Sequence, residues 1–499
     1  MKRCAPVTEN DWLNFQWKAA EKLVFSLQRR IAEAIKNKRF NKVKVLQRIL
    51  TNSLAAKALA VKRVTQNKGK RTAGVDMVLW KTQKQRAEAV NGLSVNGYRP
   101  LPLRRIHIMK KNGKTRPLGI PSMKDRAMQA LFKMALEPIS ETLADTCSHG
   151  FRMYRSCHDA VADIFQKLCR KNSPVHILEG DIAGCFDNIA HPWVQENIPI
   201  NKKVLNAWLK CGYIEKGKLF PTQAGTPQGG IISPLLANMT LDGMQGHIYK
   251  ALGVKLSPKG RALNNPYQVY LIRYADDFIV TANSKEVLDN TVKPAIEQFL
   301  AERGLQLSAQ KTITTNINKG FDFLGFNFRK YKGKLLIKPS KAAIKSVKLK
   351  ISQIIQRMKS AKTDQLVAAL NPVVRGWGYY YRTVVSKEIF TDIDTHIFDR
   401  CVRWCRRRHQ HKMWNWVKAK YFRRVNNDNW VFSGEKRRIF KLHNIQIRRH
   451  VKIIGGANPF DAGYLTYFAE RRKCKTYSAS ANKEPKCNFV SGDKLYSFM

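Results

Sequence analysis

Acidic residues are scarce in this chain: its 499 residues carry 36 Asp and Glu against 90 Lys and Arg, a formal charge of +54. A field of one sign on that scale repels itself unless a polyanion accompanies it. Nucleic acid, whose phosphates bind cationic side chains with release of counterions, is the polyanion to expect. A ribosomal or other basic structural protein would share the charge. An anionic membrane surface is a weaker fit, and no stretch approaches the roughly 18 apolar residues that a membrane span needs. The start, Met1 to Trp17, lacks the continuous apolar segment of a secretory signal. Paired cysteines are lacking too: the ten are scattered singly, which suits reduced thiols in a cytoplasm. Cys401 and Cys405 have no second ligand pair at zinc-like spacing, and Cys474 and Cys487 stand alone, so no metal–thiolate site is expected. What is present is 44% apolar and 25% charged residues, the balance of a folded chain rather than a disordered one. The length suits roughly two to four domains.

Helical periodicity opens the chain. Leu23, Leu27, Ile31 and Ile35 recur every four residues, and Val43, Leu46, Ile49 and Leu50 continue a second stripe after Phe40. A polar, basic, glycine-containing loop runs from Gln66 to Asp76. Between residues 100 and 330, short apolar runs such as Ile177-Leu178 and Gln268 to Ala282 alternate with helical segments such as Lys124 to Leu136 and Val287 to Arg303. Gly304 follows the last of these, free to take the positive φ that ends a helix. Beyond residue 335, Ile344, Val347, Ile351, Ile354, Ile355 and Met358 form one apolar helical face. Arg375 to Tyr381 gathers Trp377, Tyr379, Tyr380 and Tyr381, and a basic helical stretch ends in Arg406 to Lys412. After about 413, Trp414, Trp416, Tyr421, Phe422 and Trp430 stand among Lys and Arg; from about 472 the chain is polar and poor order is expected. No internal repeat stands out.

The sharpest chemical signal is Leu271-Ile-Arg-Tyr-Ala-Asp-Asp-Phe-Ile-Val280. Adjacent carboxylates are not placed at the centre of buried strands without partners, so Asp276 and Asp277 belong at the tip of a tight hairpin. A turn offering clustered carboxylates suits hard divalent cations such as magnesium, although Asp is also common in ordinary turns. Asp181, in Ile177-Leu-Glu-Gly-Asp-Ile-Ala-Gly-Cys-Phe-Asp-Asn-Ile189, stands just after a short apolar run. Two metal ions about 3.5–4 Å apart need at least two carboxylate-bearing segments, which Asp181 and Asp276 would supply if their strands were neighbours. Between them lies Ala224-Gly-Thr-Pro-Gln-Gly-Gly-Ile-Ile-Ser-Pro234, a loop that could let a nucleic-acid backbone approach closely.

These motifs, in this order, resemble those of group II intron-encoded reverse transcriptases, and the similarity runs from about residue 15 to about 470. The resemblance implies that Tyr274-Ala-Asp-Asp277 is the metal-binding hairpin, with Asp181, Asp276 and Asp277 catalytic and Asp181, Ile182 and Asp276 in contact with Mg2+. It implies that Phe186 stacks under the sugar and excludes a 2′-hydroxyl, so that dNTPs are used. Gln228, in the Pro227-Gln-Gly229 loop, would touch the nascent base pair, and Lys110, Arg116 and Lys311 would grip the triphosphate. Arg and Lys are natural phosphate partners, though in so cationic a chain Lys110 and Arg116 could be generic surface. Phe186 could instead be a core aromatic beside a strand. Phe323-Leu-Gly-Phe326 resembles a primer-grip turn, yet its aromatics read more readily as core.

The implied fold is α+β, a right-hand polymerase. An N-terminal extension over 1–75, which with the Arg71 to Asp76 segment resembles a template-binding lid, precedes fingers and palm with an antiparallel sheet over 76–333. A helical thumb (domain X of maturases) follows over 334–412, then a small basic DNA-binding domain over 413–472 and a tail over 473–499. Aromatics among cations suit stacking on unpaired bases, and a small aromatic core is an equal reading. The expected partners are group II intron RNA, an RNA template with a DNA primer, target DNA and dNTPs, with no membrane, in a bacterial cytoplasm; the protein would assist splicing and copy the intron during retrohoming. Many relatives continue into a Cys- and His-rich HNH nuclease, whereas here no His follows His450, so second-strand cleavage is not expected. Rival readings are a splicing-only maturase, a related reverse transcriptase recruited to host defence or DNA repair, and an RNA-dependent RNA polymerase, which should lack a blocking Phe186.

Overall fold

The computed structural model describes residues 6–109, 113, 115–226, 229–257 and 262–480. The chain forms two compact units, one from residues up to 156, 178–314 and from 453 onward, the other from 157–177 and 315–452.

The first unit opens with helices α1 (Trp17–Lys36), α2 (Phe40–Asn52) and α3 (Leu54–Gln66). The apolar stripes decide how they sit: Leu27, Ile31, Ile35, Val43, Leu46 and Leu50 are buried, while Leu23 and Ile49 remain exposed. Both α1 and α3 pack on α4 (Met123–Leu143). This helix starts where the Ser122 hydroxyl accepts the Asp125 N–H at 3.1 Å, an N-cap that satisfies a donor the helix cannot. It is buried nearly all round, so that Asp125, Arg126 and Gln129 lie in the interior with its apolar residues.

Strands β1 (Leu103–Met109), β2 (Thr115–Ile120), β3 (His176–Asp181), β4 (Tyr213–Glu215), β5 (Lys218–Phe220), β6 (Tyr270–Tyr274), β7 (Asp277–Ala282) and β8 (Ile313–Asn316) form two sheets. Their orders are β2-β1-β4-β5 and β6-β7-β3-β8. Pairing is antiparallel at β1–β2, β4–β5 and β6–β7, but β1 runs parallel to β4, a departure from the expected antiparallel sheet. Residues Phe278 to Ala282 of β7 are all buried, which is why this strand reads as a continuous apolar run rather than an alternation. Gly180 of β3 lies against Phe278: a Cβ added there would stand 2.2 Å from the ring. The expected helix from Val287 to Arg303 spans Lys285–Ala301 and contains a π-helical turn at Leu288–Val292, with Gly304 at φ +72° beyond it. A last helix spans Leu465–Ser480, and the rest of the stretch expected to be poorly ordered, 481–499, lies outside the described residues.

The second unit contains α5 (Cys157–Leu168), β9 (Phe321–Phe323), β10 (Phe326–Tyr331), β11 (Lys334–Pro339), α6 (Lys341–Arg357), α7 (Thr363–Tyr381), α8 (Lys387–Arg408), α9 (Trp414–Tyr421), β12 (Phe422–Val425) and β13 (Asp428–Phe432). Of the apolar face read on α6, only Val347, Ile351 and Ile355 are buried. The clustered tyrosines of α7 have a defined task. Tyr380 and Tyr381 donate their hydroxyls to the carbonyls of Leu324 and Gly325 at 3.0 and 3.1 Å, clasping the turn between β9 and β10. Phe323 and Phe326 are buried, so these aromatics are core. Cys401 and Cys405 are buried free thiols, and burial holds the Cys405 thiol up at about 12, which makes it inert.

The packing of Gly180 generates the first prediction. Gly180→Ala loses about 1–3 kcal/mol of stability through overpacking against Phe278, read as a lower denaturation midpoint, and Phe278→Leu in the same chain recovers part of it. A Gly180→Ala variant as stable as the parent would show that β3 and β7 are not packed this closely.

Candidate active site

The hairpin that carries the paired carboxylates is as tight as one can be. Tyr274 pairs with Asp277, which leaves Ala275 and Asp276 as a two-residue loop. Ala275 takes φ +60°, a conformation that costs a non-glycine residue on the order of 1–3 kcal/mol and persists only where the surroundings impose it. Gly150 is one such constraint, since a Cβ there would be 2.4 Å from the Ala275 nitrogen. Arg273 is the other. It has no exposed surface, and its Nη1 donates to the Asn238 side-chain oxygen at 3.3 Å and to the Ala275 carbonyl at 3.4 Å. Its Nη2 meets Asp242 at 2.5 Å. Burial pushes Asp242 above the ordinary carboxylate range, while Arg273 pulls it back. Asn238 in turn donates to the Gly150 carbonyl at 2.7 Å, closing the ring beneath the turn. The reading from sequence missed Arg273, Asn238 and Asp242, although a charged residue inside Tyr270–Tyr274 was itself a signal that a buried partner must exist.

Asp181 ends β3, the neighbour of β7, so the two carboxylate-bearing segments do come together. Its carbonyl accepts the Ser308 N–H at 2.8 Å and its carboxylate meets Lys311 Nζ at 2.8 Å. That bond to Asp181 is the main reason the Lys311 ammonium is held above its ordinary value. Solvent reaches Asp277, yet the strands crowd its carboxyl; this desolvation and then the charges of Asp276 and Asp181 push it up to about 6. Cys185, buried beneath, rises to about 12 through burial and then the charge of Asp276.

Phe186 is half-buried in the short helix Cys185–Asn188. Its carbonyl accepts the Thr226 N–H at 2.7 Å, and the Gly225 N–H reaches the Ile189 carbonyl at 2.8 Å. Gly225, at φ +83°, could not carry a side chain here, since its Cβ would be 2.5 Å from the Asp187 carbonyl oxygen. The start of the Gly/Pro loop therefore lies directly against the segment bearing Phe186. Ile182 is buried and bridges to Leu307. Arg116 is exposed and pairs with Ile108 across the β1–β2 hairpin. Lys110, Pro227 and Gln228 lie outside the described residues.

The donor set at Asp181, Asp276 and Asp277 is all hard oxygen, as a divalent magnesium ion requires. Among the described residues, however, no group of three or more His, Cys, Asp or Glu side chains is arranged as a ready metal cage. In the second unit, the aromatic region divides by residue: Tyr421, Phe422 and Phe432 are buried, whereas Trp416 and Trp430 are 38% and 44% exposed. Lys420 and Lys418 each stand 4.7 Å from the centre of one of those exposed rings. Among the described residues no helix is long and apolar enough to cross a membrane.

Three family profiles match the chain: reverse transcriptase (RNA-dependent DNA polymerase) over residues 108–328, the N-terminal domain of reverse transcriptase over 12–93, and the group II intron maturase-specific domain over 344–422. Protein YkfC of Escherichia coli is 33% identical, over 54% of this chain and 78% of its own length. The group II intron-encoded protein LtrA of Lactococcus lactis is 30% identical over 54% of each chain. A 91 kDa protein in the cob intron of Schizosaccharomyces pombe is 29% identical over 60% of this chain. The chain spans about half the length of the last two proteins, 54% and 46%.

The buried pair beneath the hairpin gives a second prediction. Arg273→Leu leaves Asp242 without its counter-charge and costs about 3–5 kcal/mol, measured by denaturant unfolding. A loss below about 1 kcal/mol, the range of an exposed pair, would show that the pair does not hold the turn.

Proposed function

This chain belongs to the family of group II intron-encoded reverse transcriptases and maturases, and we propose that it copies RNA into DNA at the cluster of Asp181, Asp276 and Asp277. The observation that carries the reading is the adjacency of β3 and β7, which puts two carboxylate-bearing segments side by side with Lys311 on Asp181. Asp181 and Asp276 would hold magnesium, joined by the main-chain carbonyl of Ile182, whose side chain is in the core. Bound there, such ions lower the pKa of a primer hydroxyl and offset charge on the transferred phosphoryl group. Asp277, whose carboxyl burial pushes up, is the lesser, structural partner in that turn.

The protein's own part in the reaction is positioning. Lys311 is two-thirds exposed beside the carboxylates and supplies a point charge to a triphosphate, with Lys110 and Arg116 from the β1–β2 hairpin and Gln228 at the nascent pair. Phe186, backed by the Gly225–Thr226 segment, excludes a 2′-hydroxyl and so selects dNTPs. In this reading residues 76–333 serve as fingers and palm of a right-hand polymerase, 334–412 as a helical thumb, and 413–472 as a basic DNA-binding region. The N-terminal extension over 1–75, continued by Arg71 to Asp76, contacts the template. The same cationic surface binds intron RNA, recognised through its shape and backbone, assists its splicing and carries it to a DNA target.

Magnesium-dependent primer extension on an RNA template tests this. Asp276→Ala and Asp181→Ala each lower extension by about a thousandfold or more, with binding of structured RNA retained. If wild type also fails to extend while binding such RNA tightly, the chain is a splicing cofactor and the polymerase reading is lost. Phe186→Val lowers the preference for dNTP over NTP by at least about tenfold, as removal of a steric exclusion should; unchanged selectivity would remove Phe186 from that role.

A further inference from the structure

One face of α4 carries polar side chains that the reaction does not use and that solvent does not reach. Asp125, Arg126 and Gln129 are 3%, 7% and 2% exposed, and their spacing puts them together along the helix. Each holds a different segment. Asp125 accepts the Tyr98 hydroxyl at 2.7 Å and the Leu101 N–H at 3.2 Å, at the approach to β1. Gln129 accepts the Ile231 N–H at 2.8 Å, within the Gly/Pro loop from Ala224 to Pro234.

Arg126 makes the widest span. Its Nε donates to the Pro121 carbonyl at 2.9 Å, Nη1 to the Gly69 carbonyl at 3.0 Å and Nη2 to the Thr72 carbonyl at 2.6 Å. Gly74 adds a further constraint, because a Cβ there would come within 2.6 Å of the Ser122 Cα. The basic loop is therefore fixed from below by its main chain, while Lys70 and Arg71 remain exposed above. A planar guanidinium can direct donors to three carbonyls at once; an ammonium of similar reach is a single point.

We propose that Arg126 is a positioning residue for the template. By holding the carbonyls of Gly69 and Thr72 it keeps Lys70 and Arg71 turned outward, while Gln129, one turn further along the same helix, holds the Ile231 N–H. This rests on the reading of the basic loop as a template contact.

The experiment pairs hydrogen exchange with steady-state primer extension on an annealed RNA template and DNA primer, using the full chain. Arg126→Gln speeds amide exchange across residues 68–76, and raises the KM for template–primer about tenfold while kcat stays within about twofold. Arg126→Lys keeps the buried charge, protects the fold, and shows the same effects to a smaller degree. Lys70→Ala with Arg71→Ala raises the KM without disturbing exchange around Arg126, and Arg126→Gln added to that pair raises it little more, since both act through one contact. Unchanged exchange in both Arg126 variants overturns the proposal, as does faster exchange with an unmoved KM. In the latter case the Lys70 and Arg71 variant separates the two ideas. If it raises KM, the loop contacts template without help from Arg126; if it does not, the template reading of the loop has failed.

Discussion

A guanidinium with no exposed surface lies beneath the loop that presents Asp276, and the geometry of the whole carboxylate cluster depends on it. A two-residue hairpin with a non-glycine residue at positive φ will not keep that shape unaided. Arg273 imposes it by bonding the Ala275 carbonyl, Asn238 and Asp242 at once. Its charge is tolerable only because Asp242 accompanies it. The pair is thus better understood as a device for conformational specificity than as a source of net stability, since an apolar pair of equal volume could stabilise the core as well. No apolar pair could hold a carbonyl at the tip of the turn.

The same logic explains where the scarce acidic residues lie. With 36 Asp and Glu against 90 Lys and Arg, an even scatter would leave most buried cations without a partner. Instead several acids are interior. Glu141 meets Arg152 at 2.8 Å, Asp159 accepts from His450 at 2.8 Å, and Asp163 meets Lys452 at 2.7 Å. Asp394 accepts the Leu442 and His443 N–H groups and the His443 ring. Each of these carboxylates is less than a tenth exposed. Pairing inside leaves the chain's whole net charge on the exterior, which favours a polyanionic partner. Local neutrality inside and a one-signed field outside are two results of one distribution.

Much of this was legible in the sequence, and the reason is period. The stripes of α1 and α2, the apolar runs flanking Asp276 and Asp277, and the run before Asp181 each carry a local signature that survives without neighbours. The hairpin was foreseeable because two adjacent charges between apolar strands have one acceptable place. What could not be read was pairing across distance. Nothing in the spacing of residues 69, 126 and 231 shows that one helix face would bind two loops, nor that Gly180 faces Phe278. The aromatics of the C-terminal region were ambiguous for the same cause: Phe432 and Trp430 are two residues apart in one strand, yet the first is buried and the second 44% exposed. Facing within a hairpin is set by what the hairpin packs on.

The helix expected to end at Leu136 shows how burial overrides local signals. It continues through Pro138 to Leu143, although proline removes a helical donor and clashes with the preceding turn. Pro138 and its neighbours Leu136, Ile139 and Ser140 are all buried, and the Thr142 hydroxyl donates to the Pro138 carbonyl at 2.7 Å, meeting an acceptor in the last turn. Continuing the helix buries more apolar surface than stopping would. A helix this enclosed has no free face on which polar groups could stand by default, so each buried polar side chain along it must be matched by a partner. In α4 those partners include the main chains of the basic loop, the approach to β1 and the Gly/Pro loop, with the Tyr98 hydroxyl and the Arg152 guanidinium beside them. The need to satisfy a buried donor and the need to fix a loop are met by the same hydrogen bonds, which is why the polar face of this helix and the segments it holds constrain one another.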